Sequence, residues 1–390
     1  DAAAEMGVEM FMVDADWYAG GYPQGLGDWE VDRKKFPDGY EAFSEYARER
    51  GIGVGLYVDG TAWPGTKLSA EHPEFFYDLP QNYRPLKYNF SRRDACDYMI
   101  DMISGWVDRF DLRYLRADFY CDPLGGKKAH TENGCTRWDL IDDRILFDWD
   151  LVDPNGTIRF AHFQGLYDVV ESVTRRNPNL ILELCNGGGN NLDLGTMTRH
   201  HCSWLSDNTW DPFTCSFMQF GANAFVPGNF LAMALNVGEN DSTWAAECDY
   251  TDVAFLGRMA GEFMLAGRIG DWPKDVRARA RHWIGVYKRI RHLLVKDFYR
   301  LLPPPQSDAD WDGAQFCDAK ESGIVFAIRR TGDTTNQRLR LRSLSTDRDY
   351  RITNEATGDA RVLAGRELAT DGLRVELTPR SGRLYSYCRL

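Results

Sequence analysis

The chain has no excess of positive charge. Over 390 residues, 46 Lys and Arg stand against 58 Asp and Glu, a net charge of −12. Nucleic-acid binders need a basic face that displaces counterions, so this balance argues against a nucleic-acid partner. No apolar run approaches the length that spans a bilayer, so no membrane partner is expected. The opening residues Asp1-Ala2-Ala3-Ala4-Glu5-Met6-Gly7 carry neither the basic nor the apolar region of a signal peptide. The nine cysteines form no CxxC pair, which argues against a zinc ribbon and against a full disulfide framework. Gly187-Gly188-Gly189 is not followed by the Lys-Ser/Thr of a phosphate loop. His200 and His201 are adjacent and so diverge on a strand or a helix, which favours structural roles over metal ligation. Neither a metal nor a cofactor is expected. Compartment and oligomeric state stay open.

What the chain does have is a set of short apolar runs that end in acids. Val8 to Val13 reads as a strand leading into Asp14-Ala15-Asp16-Trp17-Tyr18. Gly53 to Asp59 is a second, and Arg113-Tyr114-Leu115-Arg116-Ala117-Asp118 a third. Leu180 to Leu184 leads into Cys185-Asn186-Gly187-Gly188-Gly189, and His201 to Asp207 is one more strand closed by an acid. Segments around Phe225–Leu235 and Phe263–Gly270 supply further strands. Between these runs lie helical patterns. One carries Phe43 and Ala47, and another, opened by a Ser91–Asp94 capping box, carries Cys96, Met99, Ile100, Ile103, Trp106, Val107 and Phe110. A third carries Leu166, Val169, Val170 and Val173, and Lys274 to Val295 is a basic amphipathic helix.

Strand–helix alternation sustained over about 300 residues is the signature of a (β/α)8 TIM barrel. Only about seven strands can be counted, so the first strand and helix are expected to precede residue 1. Leu301-Leu302-Pro303-Pro304-Pro305-Gln306 reads as a linker, and the alternating runs beyond it as a small antiparallel β-sandwich. The expected division is a catalytic barrel over 1–298 and a sandwich over 299–390.

Alternate residues share one face of a strand, so Arg116 and Asp118 point the same way. A carboxylate beside a guanidinium is held ionised. At the C-terminal end of a barrel strand such an acid is a candidate nucleophile. A strand-end ion pair that merely orients a loop is the plainer alternative. Abundant aromatics (12 Trp, 18 Tyr, 21 Phe), many near these acids, suit the apolar faces of a sugar, although core packing accounts for most of them.

Taken together and in order, Asp14-Ala15-Asp16-Trp17-Tyr18, Gly27-Asp28-Trp29, Phe36-Pro37-Asp38-Gly39, Gly55-Leu56-Tyr57, Tyr114-Leu115-Arg116-Ala117-Asp118, Cys185-Asn186-Gly187-Gly188-Gly189 and Trp204-Leu205-Ser206-Asp207 form a recognisable series. That series resembles glycoside hydrolase family 36, the melibiase-type α-galactosidases, which share a clan with family 27. The resemblance implies a retaining α-glycosidase acting on an oligosaccharide or glycoside, with Asp118 as nucleophile and Asp207 as acid/base. It also implies that Asp14, Arg116, Cys185, Asn186 and Gly189 contact the sugar, with Trp29 and Tyr57 at matching aromatic positions. The family's paired Asp is Asp14-Ala15 here, so Asp16 is a candidate replacement for the second acid. Arg116 stands for a lysine, Ala117 for a tryptophan, Asn186 for a serine and Asn191 for an arginine. These departures fall on sugar-contacting positions and point to an altered glycone preference. Two further readings stay open: a transglycosidase of the raffinose-synthase kind, and a catalytically silent carbohydrate-binding protein.

Overall fold

Burial and hydrogen bonding follow the alternation read from the sequence. A computed structural model of the chain describes every residue except 16, 79–84, 120–152, 154, 190–191 and 237–250. The described residues form two compact units, Glu9–Ser203 and Asp1–Val8 with Trp204–Leu390. No described helix is long and apolar enough to cross a membrane.

In the unit Glu9–Ser203, parallel strands succeed one another in chain order. They are Met10–Val13, Gly53–Asp59, Leu112–Asp118 and Ile181–Leu184, followed by Cys202–Trp204, whose Cys202 and Ser203 pair with Glu183 and Leu184. Three helices return the chain between them: Tyr40–Arg48, Arg93–Phe110 and Thr157–Arg176. Each buries one stripe. On Arg93–Phe110 the buried side chains are Ala95, Cys96, Met99, Ile100, Ile103, Trp106 and Phe110, the 3.6-residue period of an amphipathic helix. The expected capping box at its start is absent. Ser91 Oγ donates to Asn89 Oδ1 at 2.5 Å, while Asp94 is held by Arg92 and accepts the Ala95 N–H at 2.9 Å, so the reciprocal pair of a capping box does not form.

The unit Asp1–Val8 with Trp204–Leu390 begins with the helix Ala2–Met6, closed by Gly7 in the left-handed region at φ 86. It contains the parallel pair Leu231–Asn236 and Glu262–Ala266, and the helix Lys274–Ile290. Six antiparallel strands then form one sheet and two a smaller one. The first strand of the larger sheet, Asp297–Arg300, comes before the proline run and pairs with Trp311–Asp318. Leu301–Gln306 is therefore a connection inside the antiparallel sheet and not a linker ahead of it. Proline has no N–H to offer a ladder, so the run fits outside the paired residues. Parallel strands alternating with helices, then a separate antiparallel sheet layer, make this a TIM-barrel fold with a C-terminal β-sandwich.

Candidate active site

The acids at the strand ends become a site through register. In a parallel ladder, register partners project to the same side, so rows of side chains cross the strands. Tyr57 is paired with Arg116, and Arg116 with Glu183. One step toward the C-terminal end, Asp59 is paired with Asp118. Gly55 makes this possible from below: a Cβ there would stand 2.6 Å from both Tyr114 Cβ and the Tyr114 carbonyl oxygen.

Asp118 is 8% exposed and both of its oxygens accept hydrogen bonds. Oδ1 takes the backbone N–H of Gly187 at 2.9 Å, and Oδ2 takes the Tyr57 hydroxyl at 3.1 Å. The Gly187 amide is aimed by an unusual backbone. Asn186, Gly187, Gly188 and Gly189 have φ of 54, 56, 84 and 82, all left-handed. Such a run suits glycine and, next best, asparagine, and it turns successive N–H groups into one concavity. Asn186 is buried within it, and Gly189 donates its N–H to the Cys185 carbonyl at 2.8 Å. Burial, followed by the Asp118 charge, pushes the Cys185 thiol well above its ordinary range, so it is a neutral thiol there.

Arg116 is buried, and its guanidinium is bound on two sides. Nε lies 3.1 and 3.2 Å from the two Glu183 oxygens, and Nη1 donates to Asp14 Oδ2 at 2.8 Å. Burial works against the cation, but the Glu183 and Asp14 charges outweigh it and hold the guanidinium well above its usual range. Glu183 is fully buried, and desolvation raises its carboxyl against the pull of Arg116 and of the Tyr114 hydroxyl at 2.6 Å. Arg116 orients Asp14, whose side chain is 57% exposed and open to a ligand hydroxyl.

Trp29 is 8% exposed at φ 52 and packs among Trp17, Tyr18 and Trp106, with ring centroids 6.3, 5.1 and 5.8 Å away. Its indole N–H has no partner among the described residues. Asp16 and Asn191 lie outside the described residues.

Asp207 belongs to the other unit. The strand expected to deliver it stops at Trp204, and Asp207 stands exposed three residues further on. Trp204 Nε1 donates to its Oδ1 at 2.8 Å, so one oxygen is oriented and the other left for solvent or ligand. His200 and His201 serve the backbone: His200 Nδ1 meets the Thr196 carbonyl at 2.8 Å, and His201 Nδ1 accepts from the Leu182 N–H at 3.0 Å.

Three members of the site escaped the sequence reading as functional residues: Asp59, Glu183 and Tyr114. Each sits two residues from a residue that was singled out, on the same strand face: Asp59 from Tyr57, Glu183 from Cys185, Tyr114 from Arg116. Period-two spacing was the available signal.

Comparison with known proteins adds a family. The melibiase family model matches residues 1–297. Alpha-galactosidase AgaA of Geobacillus stearothermophilus is 27% identical over 380 residues, covering 93% of this chain and 48% of its own. The chain spans about half the length of the curated relatives it matches. The solved structure of GH36 AgaA in complex with raffinose superposes with a TM-score of 0.81 at 24% identity, over 100% of this chain and 52% of that one. A GH27 β-L-arabinopyranosidase from the same organism, in complex with arabinose, gives 0.66 at 12% identity, over 99% and 91%. At these identities the structural likeness speaks for the fold.

Proposed function

The chain belongs to the melibiase family, and from that premise we propose that it carries the catalytic part of a retaining, α-galactosidase-like glycoside hydrolase. Its substrate is a terminal α-linked sugar on an oligosaccharide or glycoside. The division into a catalytic barrel over 1–298 and a sandwich over 299–390 is part of the same proposal. One observation carries the reading furthest: a carboxylate at the C-terminal end of a parallel strand, with each oxygen fixed by a donor, Gly187 N–H at 2.9 Å and Tyr57 Oη at 3.1 Å. A nucleophile that must attack one carbon along one line benefits from that orientation.

Asp118 attacks the anomeric carbon while Asp207 gives its proton to the departing oxygen, leaving a covalent glycosyl-enzyme. Asp207 then removes a proton from water, which displaces Asp118 and restores the original anomeric configuration. Around the glycone, the exposed carboxylate of Asp14, oriented by Arg116, accepts a sugar hydroxyl. Asp16, Trp29, Tyr57, Cys185, Asn186 and Gly189 complete the sugar-contacting set. No step calls on a metal or a cofactor.

The test is a panel of aryl α-glycosides, with the first-formed anomer identified by proton NMR. The α-anomer is expected. Asp118→Ala should lose turnover by roughly 10⁴-fold or more, and added azide should return a β-glycosyl azide by filling the vacated space. Undiminished hydrolysis by Asp118→Ala would remove the nucleophile assignment. Transfer to a sugar hydroxyl in preference to water would move the protein to the transglycosidase reading.

A further inference from the structure

Behind the nucleophile lies a second acid that the mechanism above does not use. Asp59 is 4% exposed, and Tyr57 Oη is 2.6 Å from its Oδ2 and 3.1 Å from Asp118 Oδ2. One phenol hydrogen therefore stands between two carboxyl groups. It can be given to only one of them at a time.

We propose that Asp59 is a positioning residue for the nucleophile: carrying a proton, it leaves the Tyr57 hydrogen to Asp118, and without that proton it takes the hydrogen for itself. In the first state Asp59 donates from Oδ2 to Tyr57 Oη, and Tyr57 donates to Asp118. In the second, Tyr57 turns its hydrogen to Asp59, while Asp118 loses that donor, retains the Gly187 amide and faces a second negative charge. No heavy atom has to move between the two states, and the only change in composition is one proton.

The surroundings favour the first state up to neutral pH. The Thr61 hydroxyl donates to Asp59 Oδ1 at 2.7 Å in either state and so does not discriminate strongly. Burial and then the Asp118 charge raise the Asp59 carboxyl to about 7. The Tyr57 and Thr61 hydrogen bonds and the Lys87 ammonium oppose that rise. Lys87 is itself 1% exposed, with Nζ 3.3 Å from the Phe119 carbonyl. Among the described residues, Asp118, Tyr57, Thr61 and Lys87 are the ionisable or polar groups that act most strongly on Asp59.

This inference rests on Asp118 being the nucleophile, and its test has one arm that does not. In ligand-free protein, infrared difference spectra between wild type and Asp59→Asn report the Asp59 carboxyl directly. A protonated carboxyl band that disappears with a midpoint near 7 is expected. Its absence between about pH 5 and about pH 8 overturns the proposal whatever the protein catalyses. The second arm measures kcat/KM for an activated aryl α-glycoside, whose leaving group needs little help from Asp207. In the wild type it should fall about tenfold from about pH 6 to about pH 8 as a single group ionises. In Asp59→Asn the amide donates to Tyr57 at every pH, so the same ratio should stay within about twofold. Tyr57→Phe, which removes the shared hydrogen, should also flatten the profile. An Asp59 that merely supports the fold would lower kcat/KM at both pH values and leave the wild-type slope in place, and that result overturns the proposal. If no glycoside is turned over, the glycosidase reading fails and the infrared titration alone decides the state of Asp59.

Discussion

At the scale of single residues, the site is a set of charges removed from water, and their protonation is linked to folding. Asp59 has its folded-state carboxyl raised to about 7, above its unfolded value, so the protonated form is the one the fold favours. The stability tied to this group is complete below the unfolded value, near 3.9, and is lost as pH rises through about 7. Above that the folded protein must ionise a buried acid, at a cost on the order of 4 kcal/mol. Asp59→Asn has nothing to ionise. Its urea midpoint should therefore exceed the wild type's at about pH 8 and converge with it toward about pH 4. Equal pH dependence in the two proteins would mean that Asp59 is already ionised when folded. Asp14, Asp59 and Asp118 were legible in the sequence as acids closing apolar runs, whereas Glu183, inside its strand, was not. Their partners were not, because Tyr57 and Asp118 are 61 residues apart and Arg116 and Asp14 are 102 apart.

Elements matter through register and through backbone shape. The parallel pairing of Gly53–Asp59 with Leu112–Asp118 aligns Tyr57 with Arg116 and Asp59 with Asp118, turning alternation along strands into rows across them. The loop after Ile181–Leu184 then supplies the amide for Asp118. Gly187 stands at φ 56, a conformation that costs an L-residue about 1–2 kcal/mol. Gly187→Ala should thus lower the melting temperature by only a few degrees. Because relaxing that strain swings the N–H away from Asp118, kcat/KM should drop more than tenfold. A loss of stability without a matching loss of rate would show that the amide does not orient the nucleophile. The glycine run was visible in the sequence, but its aim was not, since a triple glycine permits many backbones.

At the scale of the whole chain, the C-terminal sheet is more than an appendage. Within the unit Asp1–Val8 with Trp204–Leu390, one apolar cluster joins Phe213, Phe220, Val253, Leu256 and Trp283 to Phe316, Ile324, Phe326 and Leu384 of the sheet. The Phe220 and Phe326 rings lie 5.7 Å apart. A separate cluster, including Trp311, Leu339, Tyr350, Leu368, Val375 and Tyr387, fills the sandwich. Removing residues 299–390 would strip one side from the first cluster, and exposed apolar patches of that kind drive association. The shortened chain should bind a hydrophobic dye strongly and lose its cooperative melt. A monomeric, cooperatively melting 1–298 fragment would make the sandwich separable after all.

The sequence by itself determined the succession of strands and helices, the acids at the strand ends, the change to antiparallel patterning, and the resemblance that identified the family. These rest on local periodicity and on ordered motifs, and both are properties of the chain read in one dimension. Tertiary structure decided that Arg116 is spent on Glu183 and Asp14, that the proline run lies inside the antiparallel sheet, and that Asp59 shares a hydrogen with the proposed nucleophile. Those outcomes depend on which strand lies beside which and on how far water is excluded. Periodicity carries neither kind of information, because hydrogen bonds and desolvation act across space between residues far apart in the chain.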